Sequence, residues 1–165
     1  MSDRSQLFSL VSEVGEALKS HEKMIVTAES CTGGLIAEAL TSIAGSTAWF
    51  DRAYVTYSYE AKREMLGVKE TTIMKKGAVS QECVEEMVLG ALQQSHAKVA
   101  VACSGIAGPG GGTPDKPVGT VWISWAIQGH DKLISKEFHF DGDRDAVRSQ
   151  CTVEALKGVL DLLNE

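Results

Sequence analysis

Leu7, Leu10, Val11, Val14 and Leu18 recur at three- and four-residue spacing between Ser5 and Ser20 and predict a helix with one apolar stripe against a sheet. The pattern then shortens. Met24–Ala28, "MIVTA", is a β-branched run that predicts a strand; "ESCTGG" follows as a tight turn, and "LIAEALTSI" returns to helical spacing. Ala53–Ser58, "AYVTYS", predicts a second strand, and "YEAKREMLGV" a helix with Ser58 as its N-cap. After a short linking helix at "TTIMKKG", Ser80 is placed to cap "QECVEEMVLGALQQSH", whose stripe is Val84, Met87, Val88, Ala91 and Leu92. Lys98–Cys103, "KVAVAC", is almost continuously apolar, as befits a central strand buried on both faces. "SGIAGPGGGTPDKPVG" holds six glycines and all three prolines, so it predicts a long shaped loop. "TVWISWAI" and "LISKEFHF", separated by "QGHDK", predict an antiparallel hairpin at one edge of the sheet. Asp143 is placed to cap a last helix through Leu163, with Val147, Cys151, Ala155, Leu156, Val159, Leu160 and Leu163 inward. Strands interleaved with helices and one late hairpin predict an α/β class: a three-layer α/β/α sandwich with a mixed sheet.

Composition narrows this picture. At 165 residues, 44% of them hydrophobic, the chain is expected to fold as one domain over residues 1–165. Its 22 acidic residues outnumber 16 basic ones, for a formal net charge of −6, so the basic excess that draws a protein to nucleic acid is missing. No stretch approaches the roughly 20 apolar residues of a membrane span, and the start has no signal-peptide pattern. No membrane and a cytoplasmic location are the expectations. Cys31, Cys83, Cys103 and Cys151 are scattered, with no CxxC pair and no histidine at ligand spacing; this disfavours zinc and redox dithiols, and no metal is expected. His21, His96, His130 and His139 all lie outside the glycine-rich segments and read as surface or strand histidines.

Candidate chemistry enters through topology. In open α/β sheets the ligand crevice lies at the carboxyl ends of the strands. "ESCTGG", "YSYEAK" and "SGIAGPGGG" each leave a predicted strand at that end, so they are expected to converge. In the first, Gly33 and Gly34 permit a sharp bend, and N–H groups at the following helix start can face an anion or oxyanion. Two readings stand. Either Glu29, Ser30 and Thr32 only cap the helix, or Ser30 or Cys31 is a nucleophile held at the top of the sheet. No histidine falls in the three segments, which disfavours a Ser-His-Asp triad and leaves Lys62, a turn after Ser58, as the alternative base, with Tyr57 nearby. The glycine-rich loop is neither a P-loop nor GxGxxG, yet its successive amides can form an anion nest. Arg144 is either that nest's bidentate partner for a phosphate or an exposed ion pair with Asp141 or Asp145.

"TAESCTGGLIA", "AGSTAWFDRAYVTYS", "EAK", "GAVS", "SGIAGPGGGTPDKPVGTVW" and "GDRDAVR", six ordered blocks from about Val26 to Ala155, resemble the CinA C-terminal domain family of nicotinamide-nucleotide amidohydrolases. The resemblance implies hydrolysis of the carboxamide of nicotinamide mononucleotide to nicotinate mononucleotide and ammonia, in bacterial pyridine-nucleotide recycling, with no cofactor. It assigns Ser30 as nucleophile and Lys62 and Tyr57 as its catalytic partners, with Thr47, Ser104 and Arg144 as further site residues. On this assignment, amides near Ser30 and Gly105 hold the oxyanion, and the 5′-phosphate lies against Gly108, Gly110 and Arg144. A homodimer of the stand-alone form is implied as well. The chain departs from the family at Tyr59, where "YSYEAK" replaces the common "YSNEAK"; this favours a competing expectation, a module that binds a pyridine nucleotide without turning it over. A cysteine amidase built on Cys31 is the third option.

Overall fold

The computed structural model describes residues 2–129 and 132–165; His130 and Asp131, in the stretch expected to join the hairpin, lie outside the described residues. In chain order the elements are α1 (Ser2–Ser20), β1 (Ile25–Glu29), α2 (Leu35–Thr41), β2 (Phe50–Val55), α3 (Tyr59–Leu66), α4 (Glu70–Lys76), α5 (Gln81–Gln93), β3 (Val99–Gly105), β4 (Thr120–Ile127), β5 (Lys132–His139) and α6 (Arg144–Leu163). The strands form one sheet in the order β2-β1-β3-β4-β5. β1 runs parallel to both β2 and β3, while β4 and β5 continue antiparallel. The mixed sheet and edge hairpin are those the pattern predicts.

Alternation along β3 separates the two cores. Val99, Val101 and Cys103 face a cluster made with α1, α2 and α6. Ala100 and Ala102 face the other side, where α5 supplies Cys83, Val84, Met87, Val88 and Ala91. Small residues on that face let α5 approach the sheet closely, and β3 is buried on both faces as expected for a central strand. Trp49 is buried in the first cluster, Phe50 packs against it, and Trp122 packs against the second.

β2 departs from expectation. It ends at Val55 rather than Ser58, because the Thr56 N–H donates to the Glu29 carbonyl at 2.8 Å and the chain then turns out into α3. Its register shifts between the Ile25 and Val26 pairings, leaving Asp51 outside the ladder. The freed carboxylate accepts from Arg52 Nε at 3.1 Å and from the His96 N–H at 3.0 Å. His21, His96 and His139 are exposed, as expected. Among the described residues no helix is long and apolar enough to cross a membrane.

The connection leaving β1 packs α2 on one face, whereas the one leaving β2 packs α3, α4 and α5 on the other. Between β1 and β3 the direction of winding reverses. That reversal opens a crevice at the strands' carboxyl ends.

Candidate active site

The turn after β1 is organised by Glu29. Its fully buried carboxylate accepts from the Gly34 and Ile36 N–H groups at 3.1 and 3.0 Å, and from the Ala37 N–H at 2.9 Å. The Thr32 and Thr27 hydroxyls donate to it at 2.6 and 3.1 Å. Burial raises its pKa, as does the neighbouring Cys103 sulfur, while the donors oppose the rise. The consequence corrects an expectation: amides at the start of α2 are occupied by the chain's own carboxylate and are not free for a ligand's anion. Gly33 and Gly34 sit at φ +59° and +108°, which an L side chain rarely adopts, so the bend requires glycine. From α6, Arg148 donates to the Cys31 and Thr32 carbonyls at 3.0 and 3.1 Å and pins the outer side of the turn. Ser30 is thus fixed at the β1 end.

Lys62 reaches it from α3. Ser58 caps that helix by accepting the Ala61 N–H at 3.0 Å, which sets Lys62 in its first turn. Only 1% of Lys62 is exposed. Its Nζ lies 2.9 Å from Ser30 Oγ, 2.8 Å from the Thr56 carbonyl oxygen and 3.1 Å from the Tyr57 carbonyl oxygen. These partners are all neutral, and burial holds the amine below the ordinary lysine value. A neutral amine carries two hydrogens and one lone pair. Once the amine has lost its proton, the two carbonyls are placed to take its hydrogens and its lone pair is left for the Ser30 hydroxyl.

Tyr57 enters differently from expectation. Its backbone carbonyl touches Lys62, whereas its side chain is 61% exposed and its phenolic oxygen accepts from Arg144 Nη2 at 3.2 Å. Arg144 Nη1 donates to the Gly108 carbonyl at 2.8 Å, so the guanidinium is held by the loop and Tyr57 rather than by Asp141 or Asp145. Ser104 is buried at the end of β3. Beyond it, the Ile106 N–H donates to Thr120, and Gly105 pairs with Val121. Alternate residues of an antiparallel ladder face opposite edges, which turns the Gly105 N–H toward the side where β1 has already ended.

Ser30, Tyr57, Lys62, Ser104, Gly105 and Arg144 line one cleft of about 220 Å³, with Tyr59, 58% exposed, at its side. Three predicted site residues fall outside that lining. Gly108 contributes its carbonyl to Arg144, Gly110 is exposed on the loop, and Thr47 is exposed on a short 3-10 turn, Ser46–Ala48, before β2. Since Phe50 pairs with Ile25, Thr47 lies past the opposite end of β1, about 13 Å of strand away from Ser30. A larger hollow of about 670 Å³ between α1, α2 and α6 lacks any serine–lysine contact of this kind.

Sequence reading passed over Arg148 as a positioning group, whereas Glu29 performs the capping role that one of the two readings gave it. It also separated the cysteines, yet the fold brings the sulfurs of Cys31, Cys103 and Cys151 within 4.8 Å of one another. Within that group Cys103 is pulled well below the ordinary thiol value, first by the Cys151 and then by the Cys31 S–H. Cys31 and Cys151 are correspondingly pushed up.

Fold and geometry together define an α/β domain with a hydroxyl–lysine pair at its switch point, an arrangement suited to acyl transfer. The chain belongs to the CinA C-terminal domain family, whose match covers residues 7–163. It is 52% identical over 153 residues to the nicotinamide-nucleotide amidohydrolase PncC of Escherichia coli K12, covering 93% of this chain and 92% of that protein. Against the protein of the same name from Pseudomonas putida it is 52% identical over 157 residues, covering 95% and 97%. The crystal structure of competence/damage inducible protein CihA from Agrobacterium tumefaciens superposes with a TM-score of 0.93 at 42% identity, covering 100% of this chain and 98% of that one.

Proposed function

We propose that this chain is a nicotinamide-nucleotide amidohydrolase that converts nicotinamide mononucleotide to nicotinate mononucleotide and ammonia, with Ser30 as nucleophile and Lys62 as base. The observation that carries the roles is the 2.9 Å approach of Lys62 Nζ to Ser30 Oγ, with the Thr56 and Tyr57 carbonyls placed to accept the two hydrogens of the neutral amine. Ser30 Oγ attacks the carboxamide carbon as its proton passes to Lys62. Charge on the carbonyl oxygen is met by N–H groups around Ser30 and Gly105. The lysine then returns the proton to the departing nitrogen, so ammonia leaves and an ester to Ser30 remains. Water, deprotonated by the same amine, hydrolyses that ester and frees the carboxylate.

Arg144, braced by Gly108 and Tyr57, is the cation for the 5′-phosphate, and Ser104 offers a hydroxyl on the opposite wall. Tyr57 therefore orients Arg144 instead of relaying a proton. We include a single domain over residues 1–165, a cytoplasmic setting and a homodimer in the proposal. Light scattering on the purified chain tests the last, one chain per particle overturning it. For the chemistry, wild type is expected to release ammonia from nicotinamide mononucleotide, and Ser30→Ala to do so at least about a thousandfold more slowly. Equal rates would remove Ser30 as nucleophile.

Tyr59 favours a second reading, in which the pocket holds the nucleotide without hydrolysing it. Its ring borders the cleft where the resemblance leads one to expect an amide side chain. Thermal stabilisation by nicotinamide mononucleotide with no ammonia from wild type would select that reading.

A further inference from the structure

Cys31 follows Ser30 in the turn after β1, Cys103 lies near the end of β3, and Cys151 is in the second turn of α6. All three are free thiols, buried in the same core cluster. Their sulfurs lie within 4.8 Å of one another, an all-sulfur donor set assembled from three elements. An ion with metal–sulfur bonds of about 2.3 Å holds three sulfurs about 4 Å apart in a trigonal plane, so closing this triangle around one needs shifts under about 1 Å. Soft thiolate sets of this kind select d10 ions such as Zn(II), Cd(II) and Cu(I) over oxygen-seeking cations. One further feature suits occupancy. Cys31 also borders the cleft, which supplies an entry path.

We propose that Cys31, Cys103 and Cys151 form a binding site for one soft d10 metal ion, entered from the cleft, and that its occupancy silences Ser30. As each ligand forms, an S–H bond is replaced by an S–metal bond and the proton goes to solvent; no electron moves. The silencing follows from adjacency, because drawing Cys31 inward displaces Ser30 from Lys62, and a misplacement of about 1 Å is enough to cost roughly a hundredfold in rate. Only that second clause rests on the amidase reading.

Cd(II) is the probe, titrated into the reduced, metal-free protein and followed by ultraviolet thiolate-to-cadmium absorption. One ion per chain is expected in wild type and in Cys83→Ala, since Cys83 belongs to the other core cluster. Cys151→Ala and Cys31→Ala are expected to weaken binding at least a hundredfold. Circular dichroism checks that each variant is folded, and Cys31→Ala at the cleft wall decides if Cys151→Ala is not. No absorption band in wild type, or an undiminished band in the folded Cys31 or Cys151 variant, overturns the site. In the activity arm, Cd(II) is expected to abolish ammonia release by wild type reversibly with chelator, and to leave Cys151→Ala active. Equal inhibition of both overturns the silencing. A wild type inactive before any metal is added fails the amidase reading instead, and the absorption titration still decides the site.

Discussion

The functional weight of Lys62 comes from its burial without a carboxylate among its hydrogen-bond partners. A lysine with an acidic partner would stay protonated, but here the hydrogen-bond partners are neutral oxygens, and burial lowers the amine's pKa. The titratable groups that face it are the thiols of Cys31, Cys83 and Cys103, whose negative forms raise its pKa against the larger effect of burial. Burial pushes Cys83 up to about 11, so that thiol stays neutral through most of the working range. If Lys62 is the base, kcat/KM for nicotinamide mononucleotide rises with pH as the amine loses its proton, with an apparent pKa below 10.5. Lys62→Arg is expected to lose both this limb and most of the rate, because a guanidinium does not deprotonate. A limb that survives in the variant, or one centred at or above 10.5, would assign the base elsewhere. At this scale the sequence was legible in kind but not in direction. Strand-end logic brought Ser30 and Lys62 together across 32 residues. It offered no means of telling that Tyr57 meets the lysine through its carbonyl, because side-chain direction after a strand depends on where the strand stops.

The β1–α2 connection behaves as one unit tied to a single carboxylate. Glu29 satisfies three backbone donors and two hydroxyls, and each buried donor left without an acceptor costs about 1–3 kcal/mol. Glu29→Ala is therefore expected to destabilise the protein by at least about 3 kcal/mol, lowering Tm by roughly 10 °C. Glu29→Gln, which keeps one acceptor oxygen but turns an amide N–H toward donors, should fall between the two. Glu38→Ala, at an exposed position of the same helix, should change stability by no more than about 0.5 kcal/mol. Thermal melts of the four proteins test this, and a Glu29→Ala melt within about 2 °C of wild type would show that the carboxylate does not hold the turn. Most elements could be read from periodicity because their stripes are long: α5 with its Ser80 cap, α6 with Asp143, and β3 between two cores. β2 is predicted three residues too late, at Ala53–Ser58 rather than Phe50–Val55. It is an edge strand, partly exposed along its length, and the polar pair Asp51–Arg52 interrupts its apolar pattern. The bulge that removes Asp51 from the ladder is a three-dimensional fact with no periodic trace.

Across the whole molecule, the site's design should register as a pH-dependent cost in stability. Lys62 is among the largest fully buried side chains, and its folded-state pKa lies below 10.5. Between that lowered value and 10.5 the unfolded chain binds more protons than the folded one, so stability rises with pH across this window. Below the lowered value both states are protonated and the cost is constant; above 10.5 both are neutral and it vanishes. The slope due to one such group cannot exceed about 1.4 kcal/mol per pH unit. Other groups titrate over the same range, so the clean observable is the difference between wild type and Lys62→Met, measured by urea denaturation at a series of pH values. Met fills the volume and titrates nowhere. The difference should be flat at low pH and then shift in favour of wild type as pH climbs toward 10.5, whatever constant offset the lost carbonyl contacts add. A difference that stays flat throughout, or moves against wild type, would mean that the buried amine is not held below its ordinary value. The same measurement links fold to chemistry: the burial that costs the folded state stability is what lowers the pKa of the Lys62 amine beside Ser30.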